Sequence, residues 1–158
     1  MKLKFYKTRT GAKLPNRAHS TDAGMDLFYC PDLSSENVCV WEPGHKFKIP
    51  AGENCLIPTG LKVDLPSGYM LEVKNKSGVA SKNQLIVGAC VIDPGYTGEI
   101  YVNLHNIGRS TQEIIPNQKI AQAVLIKTES CDIEEVFTDP QDKKTLRGSG
   151  AFGSTGEF

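Results

Sequence analysis

No stretch of this chain sustains a helical period. Short runs of β-branched and aromatic residues recur instead, each closed by Gly or Pro. Residues 100–106 are the cleanest case: Ile100, Val102 and Leu104 fall on one face, and Tyr101, Asn103 and His105 on the other. Residues 2–6 alternate in the same way. Residues 61–65 lie between Gly60 and the turn Pro66-Ser67-Gly68, and residues 69–73 follow that turn, which predicts a hairpin. Residues 87–92 are apolar throughout, as a strand buried on both faces would be, and 121–126 read as a further buried strand. The one helix predicted is short, near 78–82. Residues 30–46 are polar and contain Pro; they read as a surface loop with a short hairpin, capped by Trp41. Many short strands at this spacing predict an all-β fold, an antiparallel sandwich or jelly roll. No repeat appears, and no linker interrupts the chain before about Asp139. The reading is one β domain over 1–138 and a glycine-rich tail over 139–158.

A chain of 158 residues can bury a real core. Its 18 Lys and Arg balance 18 Asp and Glu, so bulk charge gives no reason to expect nucleic acid or a membrane as partner. No apolar run approaches a membrane span, and the start of the chain lacks the apolar centre of a signal peptide. Five cysteines, an odd number without a CxxC pair, argue against a zinc knuckle and against a full disulfide framework. Free thiols in a reducing cytosol, hence a cytoplasmic protein, are the simpler expectation.

The tail carries unusual equipment for its composition. Arg147, Phe152, Ser149, Ser154 and Thr155 sit among four glycines in ten residues. An arginine fork suits phosphate oxygens, glycine backbone N–H groups can close around an anion, and Phe152 offers a face to a nucleobase. The expectation is a mobile lid that orders on a phosphorylated aromatic ligand; the alternative is a plain disordered terminus. Val91-Ile92-Asp93-Pro94-Gly95-Tyr96 ends an apolar run in a tight turn. Asp93 beside a low-dielectric core can serve as a general base, or it can be an ordinary turn Asp bonded to its own backbone. Lys76-Ser77-Gly78 precedes the short helix, where it can bind phosphate or simply supply an N-cap in Ser77. Asp26, after Gly24, can hold an arginine or a metal-bound water, or be structural. Gln122 is an amide in an apolar strand and needs a specific partner, ligand or backbone. His19, His45 and His105 lie too far apart for metal-ligand spacing and read as solvent-facing or structural.

Taken in order, five segments closely resemble the five motifs of the trimeric dUTP diphosphatase (dUTPase) family. They are Ala23-Gly24-Met25-Asp26-Leu27, Lys76-Ser77-Gly78-Val79-Ala80, Val91-Ile92-Asp93-Pro94-Gly95-Tyr96, Asn117-Gln118-Lys119-Ile120-Ala121-Gln122 and the tail. Each is weak alone, but five in order are specific. The resemblance implies a jelly-roll-like homotrimer with active sites at subunit junctions. It also implies hydrolysis of dUTP to dUMP and pyrophosphate, which limits uracil in DNA and supplies dUMP for thymidylate synthesis. By that resemblance Asp93 would activate the attacking water, and Tyr96 would stack on the deoxyribose and exclude a 2′-hydroxyl. The backbone around Ala89, Cys90, Val91, Ile92 and Tyr101 would bind the uracil edge. Lys76, Ser77 and Gly78 would contact the phosphates, with Gln122 organising the phosphate and water site and Asp26 supporting it. Arg147, Gly153, Ser154 and Thr155 would clamp the γ-phosphate while Phe152 covers the base. Mg²⁺ would be held by the substrate phosphates and water, with no direct protein ligand.

The chain departs from the family pattern in places. Lys76 stands where the family usually has arginine, Asn75 replaces a usual proline, and Cys90 occupies a position often glycine. Two rival functions exist. A dCTP deaminase relative would need a proton-shuttling carboxylate where this chain has Asn103. A non-catalytic dUTP-sensing, partner-binding protein would have lost a catalytic group, yet Asp93, Tyr96 and Phe152 are present.

Overall fold

In a computed structural model of the chain, the residues described are 1–32, 45–137 and the backbone of 41–42. Among them run twelve strands and one helix. In chain order these are β1 (Lys4–Lys7), β2 (Met25–Phe28), β3 (Trp41–Glu42), β4 (Lys46–Ile49), β5 (Asn54–Pro58), β6 (Leu61–Asp64), β7 (Tyr69–Lys74), α1 (Ser77–Asn83), β8 (Leu85–Val87), β9 (Val91–Ile92), β10 (Tyr101–Asn106), β11 (Gln112–Ile114) and β12 (Lys119–Lys127). Every pairing is antiparallel. The strand orders are β1-β6, β5-β10-β8, β11-β4-β3 and β2-β12-β7-β9. The all-β, jelly-roll-like architecture with one short helix therefore stands. Among the described residues no helix is long and apolar enough to cross a membrane.

The core sits between the sheets. Leu27, Ile57, Leu71, Val102, Leu104 and Ala123 are fully buried and come from five different strands. The alternation in β10 behaves as read: Ile100, Val102 and Leu104 are buried, and Tyr101 is exposed. Burying each Leu, Ile or Val contributes roughly 1.5–3 kcal/mol, so these inward stripes decide which face each strand turns to the core. Tyr29 is also buried; its hydroxyl donates to the His45 carbonyl at 2.9 Å and its ring meets Phe47 edge-on at 5.8 Å.

Three sequence expectations are corrected. The strands at 61–65 and 69–73 do not form a hairpin with each other. β6 pairs with β1, Val63 opposite Phe5, whereas β7 pairs with β12 and β9. The turn between them carries the chain from one sheet to another. Residues 87–92 are not one strand buried on both faces. β8 joins β10, β9 joins β7, and Val91 is exposed. The break falls at Gly88, whose N–H donates to the Asn103 carbonyl and whose missing Cβ would lie 2.2 Å from Asn103 Oδ1. The first strand begins at Lys4, two residues later than expected, and its outer face is exposed. The short hairpin expected within 30–46 is met only in part: β3 lies there, but its partner β4 begins at Lys46 and runs on to Ile49. The Trp41 side chain, residues 33–40 and Cys39 lie outside the described residues, as does the tail from 138 onward. Cys30, Cys90 and Cys131 are free thiols.

Candidate active site

A cleft of about 300 Å³ opens where β9, the following turn and β10 converge. Ala89, Cys90, Val91, Ile92 and Tyr101 line it together with Asp93 and Tyr96. The structure thus gathers the residues expected at a base, a sugar and a general base into one place. β9 is fixed to β7 by Ile92 opposite Leu71 and Val91 opposite Glu72. The Val73 N–H donates to the Cys90 carbonyl at 2.7 Å, which holds the strand's entry. Gly95 has φ +88°, a conformation that a side chain disfavours, and the Tyr96 N–H reaches back to the Asp93 carbonyl at 3.3 Å. Asp93 stands exposed at the cleft mouth, so in a single chain no apolar wall surrounds its carboxylate as the sequence reading supposed. Burial, then the negative charges of Glu99 and Asp32, raise the Tyr101 hydroxyl and keep it a neutral donor.

A second cluster forms at the other end of β7. Asp26 is buried in β2, with Lys76 Nζ 2.7 Å from one oxygen and Lys119 Nζ 2.6 Å from the other. The Lys119 contact is an ion pair without hydrogen-bond alignment. Burial opposes ionisation of Asp26, but the Lys119 and Lys76 ammonium groups outweigh it and hold the carboxyl below the usual aspartate range. Asp26 thus holds two lysines. Lys119 was not singled out from the sequence. Lys76, expected on phosphate, has its ammonium engaged with Asp26 and occupies the N-cap position without a side-chain cap bond. Ser77 is therefore the first helical residue and not the cap; it and Gly78 are exposed.

Gln122 finds a backbone partner, as its Nε2 donates to the Asn75 carbonyl at 2.9 Å. Asn75 in turn accepts from the Val87 N–H at 2.6 Å, a tie across to β8. Asn103, the position that decides against deaminase chemistry, has its amide bonded to Asn54 at 3.1 Å and its oxygen 2.8 Å from His105 Nε2. His19 and His45 are exposed. Among the described residues no three His, Cys, Asp or Glu side chains converge to hold a metal. Arg147, Phe152, Gly153, Ser154 and Thr155 lie outside the described residues.

Within one chain the two clusters stay apart. Asp93 follows Ile92, which faces Leu71 near the start of β7, whereas Lys76 and Ser77 come after its last residue, Lys74. The four strand steps from Met70 to Lys74 alone span roughly 13 Å.

The comparisons with known proteins agree with each other. A family model described as dUTPase matches residues 43–156. The deoxyuridine 5'-triphosphate nucleotidohydrolase of Gloeothece citriformis is 38% identical over 158 residues, covering 99% of this chain and 97% of that protein. That of Chlamydia muridarum is 38% identical over 155 residues, covering 97% of each. Among solved structures, the Staphylococcus bacteriophage 80alpha dUTPase with dUpNHpp has the same fold at TM-score 0.81 and 24% identity, over 98% of both chains. A variant of the phage phi11 dUTPase, described with a coordinated structural Mg(II) ion, gives 0.74 at 23% identity over 89% of this chain and 99% of that one.

Proposed function

The chain belongs to the dUTPase family, and we propose that it hydrolyses dUTP to dUMP and pyrophosphate, with Asp93 as the base that activates water. The observation that carries this reading is the single cleft shared by Asp93, Tyr96, Tyr101 and the backbone of 89–92. Uracil enters against that backbone, whose N–H and C=O groups read its polar edge. Tyr96 covers the deoxyribose and leaves no room for a 2′-hydroxyl. Asp93 takes a proton from the water that attacks the α-phosphorus. Its exposure suits a base that meets its water only when substrate arrives.

The phosphates belong to Ser77, Gly78 and Gln122. Lys76 acts on them from its seat on Asp26, as a fixed positive charge without an arginine's fork. A water attacking the α-phosphorus must lie near Asp93 while Ser77 holds the same phosphate. The length of β7 sets these two groups apart within one chain, which supports a site shared between chains. A homotrimer with sites shared between subunits supplies the second half from a neighbour. The tail, 139–158, closes over the site through Arg147, Phe152, Gly153, Ser154 and Thr155. Mg²⁺ bound on the triphosphate supplies charge neutralisation. Asp26 does not serve as its ligand, because both carboxylate oxygens face ammonium groups.

The deaminase alternative lacks its carboxylate, since residue 103 is a fully engaged Asn. The test is pyrophosphate release with dUTP, dCTP, dTTP and UTP in turn. Strong preference for dUTP is expected, because a mismatched base edge leaves buried polar groups unpaired. Comparable turnover of dCTP or UTP would overturn the assignment.

A further inference from the structure

Tyr96 lies in a loop with little to hold it. From Asp93 to Thr97 every residue is exposed, and the turn's own bond to Asp93 is long at 3.3 Å. Yet the Tyr96 ring has two contacts of its own. Its hydroxyl donates to the Glu99 carbonyl at 2.9 Å. The ring rests on Gly98, where a Cβ would lie 2.5 Å from Cζ. Tyr96 also lines the cleft. The pose therefore depends on Glu99 staying in place.

Glu99 is anchored by its side chain. Arg9 grips it with both ends of the guanidinium, Nη1 to Oε2 at 2.8 Å and Nη2 to Oε1 at 2.7 Å. The Gly60 N–H donates to Oε1 at 2.8 Å. Arg9 is itself fixed by the Pro31 carbonyl at 3.2 Å and by Asp32 at 3.6 Å. Both side chains of the Arg9–Glu99 pair are mostly shielded, 20% and 12% exposed. A forked, shielded pair resists rotation in a way that an exposed single contact does not.

We infer that Arg9 and Glu99 are positioning residues for sugar discrimination: their bidentate pair fixes the Glu99 carbonyl that holds the Tyr96 ring against the substrate's ribose position. Neither touches the reacting atoms. The inference rests on the reading of Tyr96 as the wall that excludes a 2′-hydroxyl. Arg9→Lys keeps the charge and loses the fork. Glu99→Gln keeps the shape and an acceptor for the Gly60 N–H but loses the charge. Tyr96→Phe keeps the ring and loses the tether.

The experiment measures kcat/KM for dUTP and for UTP in the wild type, Arg9→Lys, Glu99→Gln, Tyr96→Phe, Tyr96→Ala and the double variant Arg9→Lys/Tyr96→Phe. Each single variant should lower the dUTP/UTP ratio, by about 10-fold or more where a small displacement of the ring opens the sugar pocket. The double variant should fall no further than the larger single one, because both act through one ring. A merely structural pair would lower both nucleotides alike and leave the ratio unchanged. That result in Arg9→Lys and Glu99→Gln, with Tyr96→Ala still losing discrimination, overturns the inference and leaves the sugar reading intact. An unchanged ratio in Tyr96→Ala overturns both. If Arg9→Lys does not fold, Glu99→Gln decides.

Discussion

Replacing Asp26 by Asn should destabilise the protein by an amount that depends on pH. The carboxylate is buried, 4% exposed, between two ammonium groups at 2.7 and 2.6 Å. Removing one member of a fully buried pair typically costs about 3–5 kcal/mol, because the partner is left charged and dry. Here the partners are not dry. The side chains of Lys76 and Lys119 are 32% and 42% exposed and can turn to water. Screening of such partly exposed groups brings the expected loss at pH 7 down to about 1–2 kcal/mol. In a domain of this size that lowers the unfolding midpoint by roughly 2–8 °C. The folded carboxyl titrates below its unfolded value of about 3.9, so its contribution is complete above that pH. It is lost as pH falls through the lower, folded value. The gap between wild type and Asp26→Asn should therefore be the same at pH 7 and 5 and shrink at pH 3 and below. Glu113, held below its usual range by Lys46 and also by Lys48, is common to both proteins and cancels in the difference. Urea unfolding at one fixed protein concentration reads the gap without a shift from assembly. A gap as large at pH 2.5 as at pH 7 would refute the electrostatic account and assign the loss to packing. No gap at pH 7 would mean that the two lysines contribute nothing to the fold.

Asp93→Asn should keep binding of a non-hydrolysable dUTP analogue and lower kcat about 10²–10⁴-fold, since that is what a general base supplies; a variant with near wild-type kcat removes Asp93 from the chemistry. Light scattering should give a mass near three chains, and trimers assembled from mixed Asp93→Asn and Ser77→Ala chains should regain activity that neither variant has alone. If each chain builds its own site, the mixture stays inactive. Deleting Gly148–Phe158 should cost turnover far more than unfolding stability; Phe152→Ala should remove a stacking contact worth about 1–3 kcal/mol, and Arg147→Ala should reduce the preference for dUTP over dUDP. Unchanged kcat in the truncated protein would show that the tail takes no part.

Where the fold was legible, the signal was local and periodic. The alternation of β10 gave its faces directly, and Ser77–Asn83 contains the one helix expected. The errors concern partner choice. Gly68 and Pro66 mark a turn, but a turn does not say whether the two strands it joins will pair. β6 found β1, with Leu61 opposite Lys7, a separation along the chain that no short sequence window spans. β7 found β12 in the same way. Apolarity misled at 87–92 for a related reason. A continuous apolar run describes one doubly buried strand and two short strands in separate sheets equally well. What separated them was the close approach of Gly88 to Asn103, a contact made across to β10.

The site divides along the same line. Asp93-Pro94-Gly95-Tyr96 is a local turn, and its geometry was legible. The need of Asp26 and Gln122 for partners was legible too, since burial of a charge or an amide demands one. The partners were not. Arg9 and Glu99 are 90 residues apart, and neither was singled out from the sequence. Lys119 pairs with Phe28, two residues from Asp26, and β12 then carries an irregularity: Ala121 pairs with Leu27, so Ile120 is an extra residue. Without that bulge Ala121 would stand opposite Asp26, and Gln122 would turn to the other face. With it, Gln122 stands opposite Asp26 and opposite Lys74, beside the Asn75 carbonyl it bonds. No glycine or proline marks positions 119–121. The sole trace is two consecutive buried residues, Ile120 and Ala121, in a strand that otherwise alternates at that end. A stretch that is apolar except for Gln122 hides such a shift, and the placement of Gln122 beside Asp26 and Asn75 turns on it.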